Sequence, residues 1–284
     1  MKTTELIPIT VLVQTLNEEI GIRHCLEKLK RFDEVIVVDS NSTDSTASIC
    51  ESLGFSVVSF TWDGSYPKKK QWQLENVSTR NEWVLFVDAD ETPSAELLAE
   101  LEALFSPDLP QACAAYEIEL DYVFAGRPLK HGHRVVKRAL LNRNSARFPE
   151  MDDLDAPGMG ELEGHYQPEV HGKVLRLSGR LVHEDKDPVR TWFDRHNRYS
   201  DWEAYLRTHP KTKRMTRERR SSQGKIFDLM PFKPLIFFFY SYVFRSGWRD
   251  GRAGFDYAIA LSTYYWQIEL KVREILRHRR EVRA

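Results

Sequence analysis

The sequence predicts an α/β fold: a mostly parallel central sheet flanked by helices. Short runs of β-branched and apolar residues alternate with stretches of helical composition, the pattern of βαβ units. These runs are apolar almost continuously rather than at every second position, as in strands covered on both faces. Several of them also end directly in a polar cluster. Ile9 to Thr15 reads as the first strand, with a helix from Glu19 to Lys30 behind it. Glu34 to Asp39 is the second, closed by Ser40-Asn41-Ser42-Thr43-Asp44, where Thr43 or Asp44 caps the next helix. Phe55 to Phe60 and Trp83 to Asp88 are the third and fourth. Thr92 as a cap and Pro93 at the first helical position announce a helix to Phe105, closed by Pro107 and Pro110. Ala114 to Phe124 is one more strand, and the Asp-, Glu-, Gly- and Pro-rich stretch 149–164 is a loop.

Beyond Pro188 the pattern turns helical, with Trp192, Phe193, Tyr199, Trp202 and Tyr205 at helix-like spacing. His209 to Gly224 reads as a polar, strongly basic linker, and an aromatic-rich region runs from Ile226 to about Ile275. This divides the chain into an α/β part, 1–188, and a helical region, 189–284. With 42% hydrophobic and 29% charged residues in 284, the chain is neither disordered nor fibrous. Its net charge of −1 conceals an asymmetry, because 21 Lys/Arg face 10 Asp/Glu from Arg190 onward. A cationic back half suits an anionic surface. Cys25, Cys50 and Cys113 are too few and too scattered for a disulfide framework or a zinc site, and fit core positions in a reducing compartment. No charged segment followed by a long apolar run opens the sequence, so no signal peptide is expected. The longest apolar stretch, Pro234 to Phe244, is too short to span a bilayer.

The chemistry concentrates at strand ends. Asp88 and Asp90, in Phe86-Val87-Asp88-Ala89-Asp90-Glu91, end the fourth strand, and ligands of open α/β sheets bind outside the carboxyl ends of strands. Two carboxylates one residue apart can share a hard divalent cation, Mg²⁺ or Mn²⁺, that leaves positions open for diphosphate oxygens. Asp39 can accept a hydrogen bond from a pyrimidine imide N–H, while Asp44 suits a helix cap. Thr15-Leu16-Asn17-Glu18-Glu19 lines the same crevice, with helix capping by Asn17 as the plainer alternative. Lys68-Lys69-Lys70-Gln71-Trp72, between the third and fourth strands, offers lysines to a diphosphate or forms a solvated basic turn.

The ordered set of Thr15-to-Glu19, Val35-to-Thr46, Lys68-to-Trp72 and Trp83-to-Glu91 resembles glycosyltransferase family 2 with the GT-A fold. Within it, the set is most similar to the lipopolysaccharide-core β-1,4-glucosyltransferase branch. The resemblance is strong up to about Glu91 and weak beyond. It implies that 1–188 is a catalytic domain whose nucleotide-sugar-binding part is about 1–106. It implies that Thr15, Asn17 and Glu18 contact the nucleoside, that Asp39 binds uracil, and that Lys69 and Gln71 lie near the sugar diphosphate. Asp88 and Asp90 match the metal-binding Asp-x-Asp, with Asp90 the stronger ligand. Family members invert by single displacement, stabilising the departing nucleoside diphosphate.

That displacement needs a base for the acceptor hydroxyl. Glu163 is the first candidate, Glu161 the second and Asp153 the third. His183, after an apolar stretch, is a candidate metal or diphosphate ligand. In the helical region, Phe237 to Trp248 is rich in aromatics flanked by Lys233, Arg245, Arg249 and Arg252, as in an interfacial helix on anionic lipid. A core helix or a homodimer interface is the alternative there. The expectation is therefore a metal-dependent hexosyltransferase, cytoplasmic and peripheral on the inner face of the cytoplasmic membrane. It would move a sugar from UDP-hexose to a lipid-linked or polysaccharide acceptor of the bacterial envelope. Nucleic acid is not an expected partner. A sugar-phosphate nucleotidyltransferase would carry a Gly-rich loop where Thr15-to-Glu19 stands, and a non-catalytic binding module would leave Asp39, Asp88 and Asp90 without a purpose.

Overall fold

A computed structural model describes residues 6–106, 113–164, 166–220 and 222–282. The expected α/β class holds. The chain runs β1 (Ile7–Thr15), α1 (Ile22–Lys28), β2 (Phe32–Asp39), α2 (Thr46–Ser52), β3 (Ser56–Ser59), α3 (Lys69–Asn76), β4 (Trp83–Asp88), β5 (Glu91–Pro93), α4 (Ala95–Leu104) and β6 (Ala115–Phe124). It continues through β7 (Arg127–Pro128), β8 (Val136–Asn142), β9 (Ala146–Arg147), β10 (Glu169–Val170) and β11 (Val174–Glu184). Helices α5 (Val189–Thr208), α6 (Pro210–Arg219), α7 (Ser222–Leu229), α8 (Lys233–Phe239) and α9 (Gly251–Glu281) follow. Between α8 and α9 lie a π-helical turn, Tyr240–Phe244, and a 3₁₀ turn, Gly247–Asp250.

The large sheet has the order β3-β2-β1-β4-β8-β6-β11-β5, with β7 on the edge of β6. Strands β1 to β4 are mutually parallel, β8 runs antiparallel to both its neighbours, and β11 is parallel to β6. The chain leaves β1 towards β2 and β3, then returns to β4 on the other side. That reversal opens a crevice at the carboxyl ends of β1 and β4. Alternate residues of one strand enter opposite cores: Val11, Val13, Leu85 and Val87 on one face, Leu12, Val84 and Phe86 on the other. Burial on both faces is why these strands read as continuous apolar runs.

Several boundaries move. The first helix begins at Ile22, because Glu18 to Gly21 form a turn. Pro93 does not open a helix; it lies in β5 paired with β11, and Ser94, whose Oγ accepts from Leu97 N at 3.1 Å, is the cap in place of Thr92. Pro107 and Pro110 lie outside the described residues. The expected basic linker is mostly helical, with Pro210 at the start of α6. Polar on most sides, α6 is held by the loop beneath it and by β10: Lys211 pairs with Asp152 at 2.7 Å, Thr212 Oγ1 donates to Asp152 O at 2.8 Å, and Arg219 pairs with Glu169 of β10 at 2.9 Å. Such long-range tethers leave no periodic trace in the sequence.

Strand β11 is fixed on α4 at Gly179, where a Cβ would lie 2.3 Å from Leu97 Cα. The Glu100 carboxylate also accepts from Ser178 N and Gly179 N. Gly179→Ala should therefore destabilise the protein by about 1–3 kcal/mol through overpacking, read as a lower urea midpoint. An unchanged midpoint would mean that α4 and β11 separate more easily than this contact implies.

Candidate active site

The parallel register sets the strand ends level. Thr15 lies opposite Asp39, and Gln14 opposite Asp88. Asp39 is buried and held by three donors: Thr15 Oγ1 at 2.9 Å, Ser42 Oγ at 2.5 Å and Ser42 N at 2.8 Å. Asn17, at φ +56°, accepts from Thr43 N at 2.8 Å, while its own N–H donates to Ser42 Oγ at 2.8 Å. It staples the loops after β1 and β2, and asparagine tolerates that left-handed backbone better than most residues. Asp44 accepts from Thr46 N at 2.9 Å and Glu19 N at 3.2 Å, so it ties the first turn of α2 to the β1 loop.

Two site residues read from the sequence are committed inside the protein. Lys69 is buried, donating to Ser40 Oγ at 2.5 Å and Thr15 O at 3.1 Å, and burial pulls its ammonium below the ordinary lysine range. Gln71 is buried as well, accepting from Phe148 N at 2.7 Å and donating to Glu75 at 2.7 Å. The lysine that faces the crevice is Lys70, half-buried and 4.0 Å from Asp88. Lys68 is buried against Asp153 at 3.1 Å, and Trp202 Nε1 donates to the same carboxylate at 3.0 Å.

The first two candidates for the base likewise have partners within the protein. Glu163 is buried with Oε1 accepting from Lys70 N at 2.5 Å and Gln71 N at 3.0 Å, so it caps α3. Burial pushes its carboxyl up. Glu161 accepts from Ser40 Oγ and lies 3.6 Å from Lys69 Nζ, beside Asp39 rather than Asp90. Their partners lie on α3 and the β2 loop, far away in sequence, so the local pattern Gly160 to Gln167 gave no sign of them.

Asp88 and Asp90 part company. From β8, Lys137 reaches Asp88 Oδ2 at 2.5 Å and also pairs with the fully buried Glu91. Although desolvation opposes it, Lys137 and then Lys70 hold the Asp88 carboxyl well below the usual range. Burial, with Asp88 and Asp90 nearby, pushes Glu91 up against the pull of Lys137. Asp90 faces β11 instead: Glu184 N donates to Asp90 O at 2.8 Å, and His183 Nδ1 lies 3.3 Å from Asp90 Oδ1. Both of these side-chain atoms are buried without a hydrogen bond. Although burial opposes it, Asp90 raises the His183 imidazole above its ordinary value, so a protonated His183 pairs with Asp90. With Nδ1 deprotonated, the facing oxygen and nitrogen fit one divalent cation. Among the described residues, no cluster of three or more His, Cys, Asp or Glu side chains forms a closed metal site.

Around Asp90 the charge is negative. Burial first, then Asp90, Asp187 and Asp185, push the Glu18 carboxyl up to about 8, with Arg195 opposing. Arg195, from α5, pairs with Asp185, whose Oδ1 accepts from Asp187 N at 2.8 Å. Sequence reading missed Lys137, Glu91's partnership with it, and Arg195. Only the basic character of Lys137 on a strand was visible in advance, and nothing local tied it to Asp88.

Residues 10–149 match the family described as Glycosyl transferase family 2. A lipopolysaccharide core biosynthesis glycosyltransferase, LpsC, of Rhizobium meliloti (strain 1021) is 27% identical over 279 residues, covering 94% of this chain and 92% of its own. An uncharacterised glycosyltransferase of Rickettsia typhi is 29% identical over 199 residues, 69% of this chain; the match spans 66% of that relative's length. Among solved structures, a mannosyltransferase of Pyrobaculum calidifontis in complex with GDP-Man and Mn²⁺ aligns with a TM-score of 0.46 at 15% identity, over 93% of this chain and 86% of its own.

Two outcomes follow from the charge arrangement. Lys137→Met strands Asp88 and the buried Glu91, and should cost about 3 kcal/mol of stability in urea titration; a neutral substitution would contradict the bridge. Because Glu18 binds its proton more tightly folded than unfolded, its contribution should fall as pH rises from about 4.5 to about 8. The melting temperature of Glu18→Gln should thus gain on wild type across that window in chelator. A pH-independent difference would refute the shift.

Proposed function

Since the chain belongs to glycosyl transferase family 2, we propose that it transfers a hexose from a UDP-sugar to a lipid-linked saccharide of the bacterial envelope, with inversion. The observation that carries this reading is the level row of Thr15, Asp39 and Asp88 at the ends of adjacent parallel strands, with Asp90 beside it. Asp39 Oδ2, which accepts only Ser42 N among the described residues, keeps acceptor capacity for the uracil N–H. The similarity to LpsC, a core biosynthesis enzyme by name, over nearly the whole chain supports an envelope acceptor.

In this reading Asp90 and His183 hold a divalent cation, Mg²⁺ or Mn²⁺. When bound, it supplies positive charge against the growing charge of the leaving UDP. Lys70, beside Asp88 at the crevice, adds a fixed cation on the same side. Lys137 neutralises Asp88 and Glu91, which otherwise would repel the donor's phosphates. The proton of the acceptor hydroxyl goes to Asp187. Its carboxylate has no hydrogen-bond partner among the described residues, it lies within electrostatic reach of Asp90, and its carboxyl is raised by burial and by Asp185. Glu163, Glu161 and Asp153 each hold protein donors of α3, the β2 loop or α5 through one oxygen, and Glu163 and Asp153 are buried. The acceptor's lipid anchor would bring the protein to the inner face of the cytoplasmic membrane, as a peripheral protein.

A panel of nucleotide sugars with Mn²⁺ or Mg²⁺ should show UDP-sugar hydrolysis or transfer. Asp90→Asn should lower kcat on the order of 10², and Asp39→Ala should mainly weaken UDP binding. Asp187→Asn should cut transfer while UDP binding stays intact. A protein that binds no donor, with Asp90→Asn behaving as wild type, would refute the reading.

A further inference from the structure

Helix α8 and the π-helical turn after it form one continuous segment, Lys233 to Phe244. Its inner face meets the protein. Phe237 packs on Tyr265 and His133 with ring centroids 4.6 and 5.1 Å apart, and the buried Ser241 accepts from His133 N at 3.1 Å. The outer face is the more apolar one. Leu235 is 61% exposed, and Phe239 and Val243 follow it at helical spacing on the same exposed stripe. Around them stand Phe244 at 80%, Phe232 at 73% and Trp248 at 57% exposure. A helix on a water-facing surface presents polar residues outward; this one reverses the rule.

The backbone holds the arrangement. Phe232 and Ser246, at the two ends, have φ of +52° and +59°, a region that costs free energy for residues with a Cβ. The charge pattern identifies the medium. No Asp or Glu occurs from Leu229 to Arg249, while Lys233, Arg245 and Arg249 do. Arg245 and Arg249 are exposed, and neither has an ion pair among the described residues. Protruding aromatics and aliphatics, bordered by unpaired arginines, are complementary to the anionic surface of a bilayer. Among the described residues no helix is long and apolar enough to cross a membrane.

We propose that the outer face of Leu235, Phe239, Val243 and Phe244, with Trp248, Arg245 and Arg249, inserts into the headgroup layer of an anionic phospholipid bilayer. This deepens the lipid-linked-acceptor reading and rests on it for its purpose, though not for its physics. The face is also rigidly joined to the crevice. Asp250 pairs with His131 at 2.8 Å, and Arg245 O accepts from Gly132 N at 2.9 Å in the loop before β8, the strand of Lys137. On the other side Tyr257 of α9 lies 5.8 Å from Tyr122, whose ring lies 4.9 Å from His183. Docking this face therefore fixes the orientation of the crevice to the membrane.

The test is cosedimentation of the full chain with vesicles of phosphatidylcholine alone and with phosphatidylglycerol added, beside UDP calorimetry on the same preparations. Wild type should bind the anionic vesicles and release at high salt. Phe239→Ser with Phe244→Ser, and separately Arg245→Glu with Arg249→Glu, should each weaken binding about tenfold or more with UDP affinity unchanged. Failure of wild type to bind anionic vesicles, or binding untouched by both pairs, would overturn the proposal. So would a lipid-free dimer that the serine pair dissociates, which would make the face a self-interface. Vesicle binding without UDP binding would count against the transferase reading alone.

Discussion

Everything in the candidate site depends on one constraint: three adjacent parallel strands, β2, β1 and β4, end at the same level. A parallel ladder has one polarity, so all three release their chains on the same side of the sheet. The reversal of strand order at β1 then leaves that side open between β1 and β4. Asp39 and Asp88 are side chains at strand ends, placed by register and not by loop conformation. Asp90 and His183 follow, because β5 pairs antiparallel with the end of β11 and sets His183 opposite Glu91.

Those same strands explain what was legible in the sequence. Asp39, Asp88 and Asp90 stand out because a buried strand is a local signal and its polar terminus is the next residue. His183 could be noticed for the same reason, although its partner could not. Lys69, Gln71, Glu161 and Glu163 have partners within the protein that the sequence could not announce, because their environment is made at long range. The loop 149–164 folds against α3, so Glu163 becomes a cap and Lys69 a strut beneath Thr15 and Ser40. Lys137 illustrates the converse. It sits in an ordinary strand with no motif around it, and only the antiparallel placement of β8 beside β4 delivers its ammonium to Asp88.

The helical region is more than an appendage to this crevice. Trp202 of α5 donates to the same Asp153 that neutralises Lys68, and Arg195 of α5 steadies Asp185 beside the acidic cluster. A separate hydrophobic cluster joins Phe124 and Leu129 of the α/β part to Tyr257 and Ala260 of α9. A basic, aromatic surface and an acidic crevice are thus parts of one packed body. The split of charge along the sequence has a spatial counterpart: carboxylates gather around Asp90, and the exposed Arg245 and Arg249 border the apolar face that follows α8.

The central claim is that Asp39 marks the nucleoside end of the crevice and Asp90 with His183 the metal end. Crystals grown with UDP and Mn²⁺, measured near the manganese absorption edge, test it directly. An anomalous peak in contact with Asp90 and His183, with uracil against Asp39, is the predicted result. A metal bound elsewhere, or a uracil ring away from Asp39, would contradict it.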